Sequence, residues 1–337
     1  MNRELIFITG ATGFIGATTV LVALEKGYRL RISVRKEVQT RKLKAVFSSY
    51  LGSIEFVIVP DITAPGAFAG KLYDVSVVIH LASPLASDST NKDDYFQPAV
   101  QGTTEILSEA AKVSSIRRVI LTASIATLLP LGGQPKGTIR EYNSWEQPLD
   151  AKLPLFKLSA SPPPMLLYQA SKILAAQAAE SFLSKASPSF DLVTIHPGFV
   201  YGHNILQSSA AELAGLNGSL FQTIMTGQVV PGGSLLTRVH IKDVAEVHIK
   251  AIDSEVEPGR YLVTAPGQST WADVVEVLRV KFPSIGWKLS DAEPAQGWPV
   301  DVGKASKTFG IRWRDWDEII EDVVTQQLQL SQASLEG

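Results

Sequence analysis

The sequence predicts an α/β fold: a doubly wound parallel sheet with helices on both faces, joined to a smaller, discontinuous C-terminal lobe. Three observations predict it. Ile6-Phe7-Ile8-Thr9 is an apolar run that stops in Gly10-Ala11-Thr12-Gly13-Phe14-Ile15-Gly16 and passes at once into helix-like sequence. Further apolar runs then alternate with helical stretches, as right-handed crossover units require. One of them, Val75 to Ile79, is apolar at every position but Ser76, the near-continuous pattern of a parallel strand covered on both faces.

The strands follow in order. Leu30, Ile32 and Val34 alternate with Arg31 and Ser33 and end at Arg35. Ile54 to Val59 ends at Pro60-Asp61, and Val75 to Ile79 runs into His80-Leu81-Ala82-Ser83-Pro84. Arg118 to Thr122 ends at Ser124, and Leu192 to Ile195 at Pro197-Gly198. Between them lie a first helix from Thr18 to Lys26, closed by Gly27, and a long helix from Tyr168 to Lys185. Beyond Gly202 the pattern loosens into short helical stretches with Gly227, Pro231, Gly232 and Gly233. Tyr261 to Thr264 reads as one more strand that returns to the main sheet, and Trp271 to Phe282 and Trp316 to Leu330 as amphipathic helices. The expected division is therefore residues 1–198 plus about 237–265 for the sheet domain, with 199–236 and 266–337 forming the lobe.

The totals exclude several classes. With 337 residues, 45% hydrophobic and 19% charged, the chain has ordinary globular composition. A formal net charge of -2 gives no basic field for nucleic acid. The absence of cysteine removes disulfides, thiolate catalysis and cysteine-bound metal. Glu4 interrupts any leader, and no run reaches the ~18 apolar residues of a membrane helix. The expected setting is cytoplasmic, without a membrane partner, as a monomer or homodimer. Without a secretory signal the triplet Asn217-Gly218-Ser219 carries no meaning as a glycosylation site.

Strand, glycine turn and helix in that order form an anion site. Gly10 permits the tight turn, Gly13 lets a pyrophosphate approach the backbone, and Gly16 lets the helix pack on the strand. The helix start adds unpaired N–H groups and the positive end of a dipole. The end of the second strand selects the dinucleotide. NAD enzymes usually place a carboxylate there, on the ribose 2′-hydroxyl. This chain has Arg35, with Lys42 further on, and a guanidinium grips a 2′-phosphate through two parallel hydrogen bonds. NADP(H) is the predicted cofactor; the competing reading is a solvated basic face, as for Lys36, Arg41 and Lys44. Asp61 stands where it would meet adenine or cap the next helix.

Tyr168-Gln169-Ala170-Ser171-Lys172 opens an alanine-rich helix, so Tyr168 and Lys172 share one face. An ammonium one turn away stabilises phenolate and makes a phenol of ordinary pKa ~10 a better acid. Such a tyrosine can protonate a carbonyl oxygen while hydride reaches its carbon. The bland alternative is a packed aromatic beside a solvated lysine. Ser124 lies at a strand end, on the edge where open parallel sheets bind ligands, and its hydroxyl can reach the substrate oxygen.

The ordered set of glycine turn, Ser124 and Tyr168…Lys172 resembles the extended short-chain dehydrogenase/reductases. Within them it is similar to the dihydroflavonol reductase, cinnamoyl-CoA reductase and methylglyoxal (aldehyde/carbonyl) reductase branch. Val34-Arg35, His80 to Pro84, Gly102-Thr103, His196 to Gly202 and Val239 to Ala245 add to the likeness. The resemblance implies a Rossmann-type sheet and an NADP-dependent oxidoreductase that reduces an aldehyde or ketone to an alcohol. Tyr168 would donate the proton, Lys172 would lower its pKa and hold the nicotinamide ribose, and Ser124 would orient the carbonyl. Gly10, Gly13, Phe14 and Ile15, with Thr12 and Gly16 in the same turn, would meet the pyrophosphate, and Arg35 and Lys42 the 2′-phosphate. Asp61 and Ile62 would lie near adenine, Leu81, Ala82 and Ser83 along the cofactor, and Pro197, Gly198 and Val200 beside the nicotinamide. Departures are Ala123-Ser124 where a serine pair is common, and His196 where asparagine is frequent. Leu166-Leu167 before Tyr168 and Gln169 after it break the cinnamoyl-CoA reductase signature, which speaks against a CoA thioester.

The remaining candidates are weaker. The five histidines lack metal-ligand spacing, so no metal is expected. His240 reads as a pocket border or a hydrogen-bonded structural residue, Asp243 as a cap among Val239, Ile241 and Val244, and Trp145, Trp271, Trp298, Trp313 and Trp316 as packing. Thr127 to Leu131 and Ser159 to Met165, with Pro162-Pro163-Pro164 unsuited to a helix, form one expected rim of the pocket. Phe199, Tyr201, Leu206, Phe221 and Met225 form the other, which predicts a hydrophobic carbonyl substrate. Two rivals share the fold: a sugar-nucleotide epimerase or dehydratase that retains NAD, and a non-catalytic NADP-binding sensor.

Overall fold

The computed structural model describes residues 4–83, 91–142, 162–229 and 234–336. Pro84, Trp145, Ser159 to Ser161 and Pro231 to Gly233, all singled out above, lie outside the described residues. In chain order the elements are β1 (Leu5–Thr9), α1 (Phe14–Glu25), β2 (Arg29–Val34), α2 (Gln39–Val46), β3 (Ile54–Ile58), β4 (Val77–His80), α3 (Asp93–Ala110), β5 (Arg118–Thr122), α4 (Pro164–Ala186), β6 (Asp191–Pro197), β7 (Phe199–Tyr201), α5 (Gly215–Thr226), β8 (Arg238–His240), α6 (Ile241–Lys250), β9 (Gly259–Val263), α7 (Trp271–Lys281), α8 (Gly303–Phe309) and α9 (Trp316–Glu336).

Among the described residues seven strands form one sheet in the order β3-β2-β1-β4-β5-β6-β9. Every pairing is parallel, with Ile6 opposite Val77, Ile120 opposite Val193 and Ile195 opposite Tyr261. The doubly wound expectation holds, and the 259–265 segment does rejoin the sheet, beside β6. Alternation along each strand feeds two cores. Ile6, Ile8, Ile32, Ile79, Ile120 and Val193 pack with Val20, Leu24, Val244 and Val247 of α1 and α6. Phe7, Val78, Val119 and Leu192 pack with Ile106 and Leu107 of α3 and Ala179 of α4.

A third core stands apart. Leu220 and Ile224 of α5, Trp271, Val274, Val275 and Leu278 of α7, and Trp316, Ile319, Ile320, Val323 and Val324 of α9 close around Tyr201. The i, i+3, i+4, i+7 spacing in α7 puts its four residues on one face. Thr270 and Asp273 close its start as a capping box. Among the described residues, no helix is long and apolar enough to cross a membrane.

Element ends differ from expectation in instructive ways. α1 starts at Phe14, not Thr18, because Gly13 is its extended N-cap and Phe14 and Ile15 are already helical. α4 starts at Pro164: the proline run does not stand clear of the helix but opens it, since a proline at the first position sacrifices only an N–H with no intrahelical partner. The parallel three-residue pairing of β7 with β8, Phe199 to Tyr201 against Arg238 to His240, was not predicted. Asp243 is no cap. His240 caps α6 through Nδ1, which accepts from Lys242 N–H, while the fully buried Asp243 carboxylate takes the backbone N–H and guanidinium of Arg314. That pair binds the stretch before α9 to α6.

The tightest packing in the sheet domain is at the first turn. Gly10 has φ +78°, and a Cβ on it would lie 2.7 Å from the backbone nitrogen of Ala82. A Cβ on Gly16 would lie 2.1 Å from the carbonyl oxygen of Gly10. Both obstacles are backbone, so nothing flexible can yield. Gly16→Ala is therefore expected to cost about 1–3 kcal/mol or more by overpacking, read as a lowered Tm. Gly52→Ala, with no atom within 4 Å of its Cβ, should stay within ~0.5 kcal/mol of the parent. Equal Tm for both variants would refute the packing argument.

Candidate active site

Every element of the site emerges at the carboxyl edge of the sheet. After β1, the amide of Gly13 closes the turn on the Gly10 carbonyl at 2.9 Å. Gly13 provides no side-chain cap for α1, and no acidic residue sits in its first turn, so the first N–H groups stay available for an anion. Thr12 and Gly13 are exposed, and Phe14 and Ile15 are half-buried over the core. The turn is locked against β4: Thr9 Oγ1 accepts from the N–H of Ala82 (3.1 Å) and is hydrogen-bonded to His80 Nδ1 (2.9 Å). Burial, with Lys172 nearby, pushes His80 down to about 3, so it stays neutral. Leu81, Ala82 and Ser83 thereby form the wall facing the glycine turn.

At the end of β2, Arg35 is exposed. Its N–H and that of Lys36 both donate to Gln39 Oε1, which fixes the turn into α2. Asp61 is turned onto Thr63, accepting from its N–H (2.8 Å) and hydroxyl (2.7 Å). Those bonds, and to a smaller extent Arg35, hold its carboxyl below the usual range. No helix follows at once, so Asp61 closes a turn onto Thr63 instead of capping a helix. Ile62 packs against Gly102 of α3, where an added Cβ would lie 3.1 Å from it. Lys42, expected beside Arg35, instead meets Glu212 at 3.3 Å, an exposed pair of the kind worth little.

The structure brings the three chemistry-bearing side chains together. Ser124 ends β5 and caps a short 3₁₀ turn, Ile125–Leu128, its Oγ accepting from the N–H of Ala126 (3.2 Å). Tyr168 projects from the first turns of α4, held by packing of Leu167, Ala170 and Leu174 on Tyr95 and Phe96 of α3. Ser124 stands beside the Tyr168 phenol, close enough for its side chain to act to lower the phenol's pKa. Lys172, buried, donates from Nζ to Ser83 Oγ (2.9 Å), and its Nζ lies 5.7 Å from the Tyr168 ring centroid. Burial lowers its pKa to about 8.

One expectation is reversed. Tyr168 has a pKa raised above the ordinary phenol value, because burial outweighs the lowering by Ser124. Lys172 is spent on Ser83 rather than on the phenol. A phenol held protonated at neutral pH remains a proton donor; what it lacks is the lowered pKa.

Behind the site, Pro197 is buried at the end of β6, and an added Cβ on Gly198 would lie 2.7 Å from the carbonyl oxygen of Thr237. Val200 is buried in the core, so it faces the cleft only with backbone. Tyr201, expected at the pocket, is fully buried with its hydroxyl on the Leu235 carbonyl (3.0 Å). Asn217 is buried too and pairs both ways with Gly202, which removes the glycosylation triplet on steric grounds.

Sequence reasoning noted two polar residues of the site only as departures from the family pattern and gave them no role. His196 is buried behind Ser124. Thr127 Oγ1 donates to the Ser124 carbonyl (2.8 Å), so it accepts from His196 Nδ1–H (2.8 Å), leaving Nε2 to accept from Thr194 Oγ1 (2.9 Å). Gln169 is buried beside Tyr168 and spends its whole amide on the loop after Ser124. The available signal was a glutamine set between Leu167 and Ala170, on a helix otherwise lined with small residues.

The residues present fit a dinucleotide phosphate. The turn that an added Cβ would fill, the uncapped start of α1, and an exposed guanidinium where a carboxylate would repel a 2′-phosphate all match such a group.

Comparison with known proteins agrees with this geometry. Residues 6–264 match the NAD dependent epimerase/dehydratase family. A ketoreductase of Aspergillus fumigatus, sphI, is 44% identical over 336 residues, covering 98% of this chain and 99% of that one. The NADPH-dependent methylglyoxal reductase of Saccharomyces cerevisiae is 27% identical, covering 96% of this chain and 98% of its own. The crystal structure of a yeast methylglyoxal/isovaleraldehyde reductase complexed with NADPH superposes with a TM-score of 0.81 at 26% identity, covering 98% and 99% of the two chains. With its parallel sheet, glycine turn and Ser124–Tyr168–Lys172 cluster, the chain belongs to the NAD dependent epimerase/dehydratase family, as an extended short-chain dehydrogenase/reductase.

Proposed function

We propose that this chain is an NADPH-dependent carbonyl reductase that converts an aldehyde or ketone to an alcohol. The observation that carries the reading is the meeting of Ser124, Tyr168 and a buried Lys172, held on Ser83, at the carboxyl edge of a nucleotide-binding sheet. The similarity to a ketoreductase and to an NADPH-dependent reductase supports it.

The reduced nicotinamide, when bound, supplies the hydride. The chain does the rest. Ser124, its Oγ already accepting from Ala126 N–H, directs its own proton outward to the carbonyl oxygen. Tyr168, held protonated by burial, hands its proton to that oxygen as negative charge develops. Lys172 offers an ammonium near the phenolate that remains, and Ser83 holds the ammonium in place. Gly10, Thr12, Gly13, Phe14, Ile15 and Gly16 would hold the pyrophosphate, and Arg35 the 2′-phosphate. Leu81, Ala82, Ser83, Pro197, Gly198 and Val200 would supply the walls.

Residues 199–236 and 266–337 are proposed as the substrate lobe, since they hold a core of their own around Tyr201 and Trp271. Half-buried Phe199, Phe221 and Met225 at that core favour a hydrophobic carbonyl compound. The epimerase reading is disfavoured by Arg35 at the end of β2.

In an NADPH-oxidation assay across methylglyoxal, isovaleraldehyde, aryl ketones and UDP-glucose, turnover is expected with the hydrophobic carbonyls. Tyr168→Phe should lose about 10²–10⁴-fold in kcat while keeping its Kd for NADPH. Wild type that leaves NADPH untouched by every carbonyl, or a fully active Tyr168→Phe, would refute the assignment.

The 2′-phosphate role of Arg35 has its own measurement. Arg35→Ala should weaken NADPH binding about tenfold or more, the loss of hydrogen bonds to a charged group, and leave NADH binding nearly unchanged. An equal loss for both dinucleotides would assign Arg35 to general folding instead.

The pH profile follows from Lys172. Its ammonium is present below about 8 and lost above. kcat/KM for NADPH, which reports groups of the free enzyme, should fall as pH rises through that value. Ser83→Ala, which removes the partner of the ammonium, should move the limb. A profile flat to pH 10 would show that the charge on Lys172 is not used.

A further inference from the structure

Ser124 caps a short 3₁₀ turn, and its hydroxyl must stay in register with a phenol on a different element. The link between the two is not made by the catalytic side chains alone. Gln169, the residue after Tyr168, reaches from α4 across to the loop that follows Ser124. Its Oε1 accepts from the N–H of Gly132 at 3.0 Å. Its Nε2 donates to the carbonyls of Ala126 (3.2 Å) and Pro130 (3.1 Å), with that of Leu129 at 3.5 Å.

The accounting of this amide is complete. A glutamine offers one carbonyl and two N–H donors, and all are used on residues 126–132. Being buried, the amide would lose solvation with nothing in return if the loop moved away. The peptide on either side of Ala126 is the point of leverage. Its N–H goes to Ser124 Oγ, and its C=O goes to Gln169. One residue therefore connects the serine hydroxyl to the residue beside the phenol.

We propose that Gln169 is a positioning residue, which sets the separation of the Ser124 and Tyr168 hydroxyls by clamping the 126–132 loop to α4. This rests on the reading that Ser124 and Tyr168 act on the carbonyl oxygen. A clamp of this kind works through Ser124 and touches neither the dinucleotide turn nor the phosphate-binding Arg35. Its loss should thus appear in kcat and leave coenzyme binding alone. A misplacement of about 1 Å costs on the order of 100-fold in rate, which sets the scale.

The test is a double-mutant cycle with methylglyoxal as the probe carbonyl. Ser124→Ala, Gln169→Met and the combined variant are compared for kcat, KM for methylglyoxal and Kd for NADPH. Gln169→Met is expected to lower kcat about 10- to 100-fold with unchanged Kd for NADPH. In the Ser124→Ala background the same change should cost no more than about twofold, because residues that act through one another do not add. If the clamp variant costs the same factor in both backgrounds, or keeps wild-type kcat, the positioning role is overturned while the Ser124 reading stands. If Ser124→Ala itself keeps wild-type kcat, the Ser124 reading fails and the proposal falls with it. Should Gln169→Met not fold, Gln169→Glu preserves length and the acceptor for Gly132 N–H, and sets a carboxylate oxygen against the Ala126 and Pro130 carbonyls. It is held to the same two outcomes.

Discussion

The close approach of two backbone segments, the β1 turn and the end of β4, is the constraint on which the site depends. Gly10 leaves no room for a side chain because Leu81 and Ala82 pass directly over it, and Gly16 leaves none because the Gly10 carbonyl lies under α1. Thr9 makes the approach specific, with its hydroxyl shared between Ala82 N–H and His80. From Ala82 the chain reaches Ser83 in one residue, Ser83 accepts from Lys172, and Lys172 lies one helical turn from Tyr168. A continuous run of backbone contact and hydrogen bonds therefore joins the anion turn to the phenol. The anion turn and the phenol of Tyr168 are thus placed by the same packing.

Three of the four buried histidines, His80, His196 and His248, belong to this scaffold rather than to the chemistry. His80 and His196 are pushed by burial to about 3 and His248 to about 4, so all three stay neutral across the working range. Each has both a defined position and defined partners. His248 bridges Thr122 of β5 and the Val244 carbonyl of α6 at 2.8 Å on either side. His196 fixes Thr127, and through it the carbonyl of Ser124, from the β6 side. Ser124 is thus held from below by β6 and from the side by α4. An asparagine at position 196 has a shorter reach than the imidazole, whose two nitrogens meet Thr127 on one side and Thr194 on the other, which gives the histidine found there a structural reason.

The legible parts of the sequence were those whose physics is local. β1 was readable because a buried parallel strand is a near-continuous apolar run that ends at glycine, and β2 because its apolar residues alternate with Arg31 and Ser33 up to Arg35. Gly10, Gly13 and Gly16 were readable because their spacing encodes backbone geometry. Ser124, Tyr168 and Lys172 were readable because chain order and helical spacing bring them to one edge. What escaped was non-local or too short for a period. β7 and β8 have three residues each, below any alternation. Asp243 looks like a first-turn cap because an acid there suits the dipole, yet its partner is Arg314, 71 residues on. The partners of Gln169 are backbone groups 37–43 residues earlier, with no side-chain signature at all.

The pKa of Tyr168 shows why spacing alone misled. Four residues on a helix place Lys172 near the phenol, and proximity of opposite charge lowers a pKa. The fold instead turns the ammonium to Ser83 and buries both groups, and burial penalises the charged form of each: phenolate for the tyrosine, ammonium for the lysine. The two penalties act in a useful direction together. In the proposed reaction the phenol would keep its proton until negative charge develops on the substrate oxygen. The lysine, its pKa already lowered to about 8, would gain from a new anion beside it, and transfer of the proton from Tyr168 would create that anion. The stabilisation would then appear where it lowers the barrier rather than in the resting enzyme.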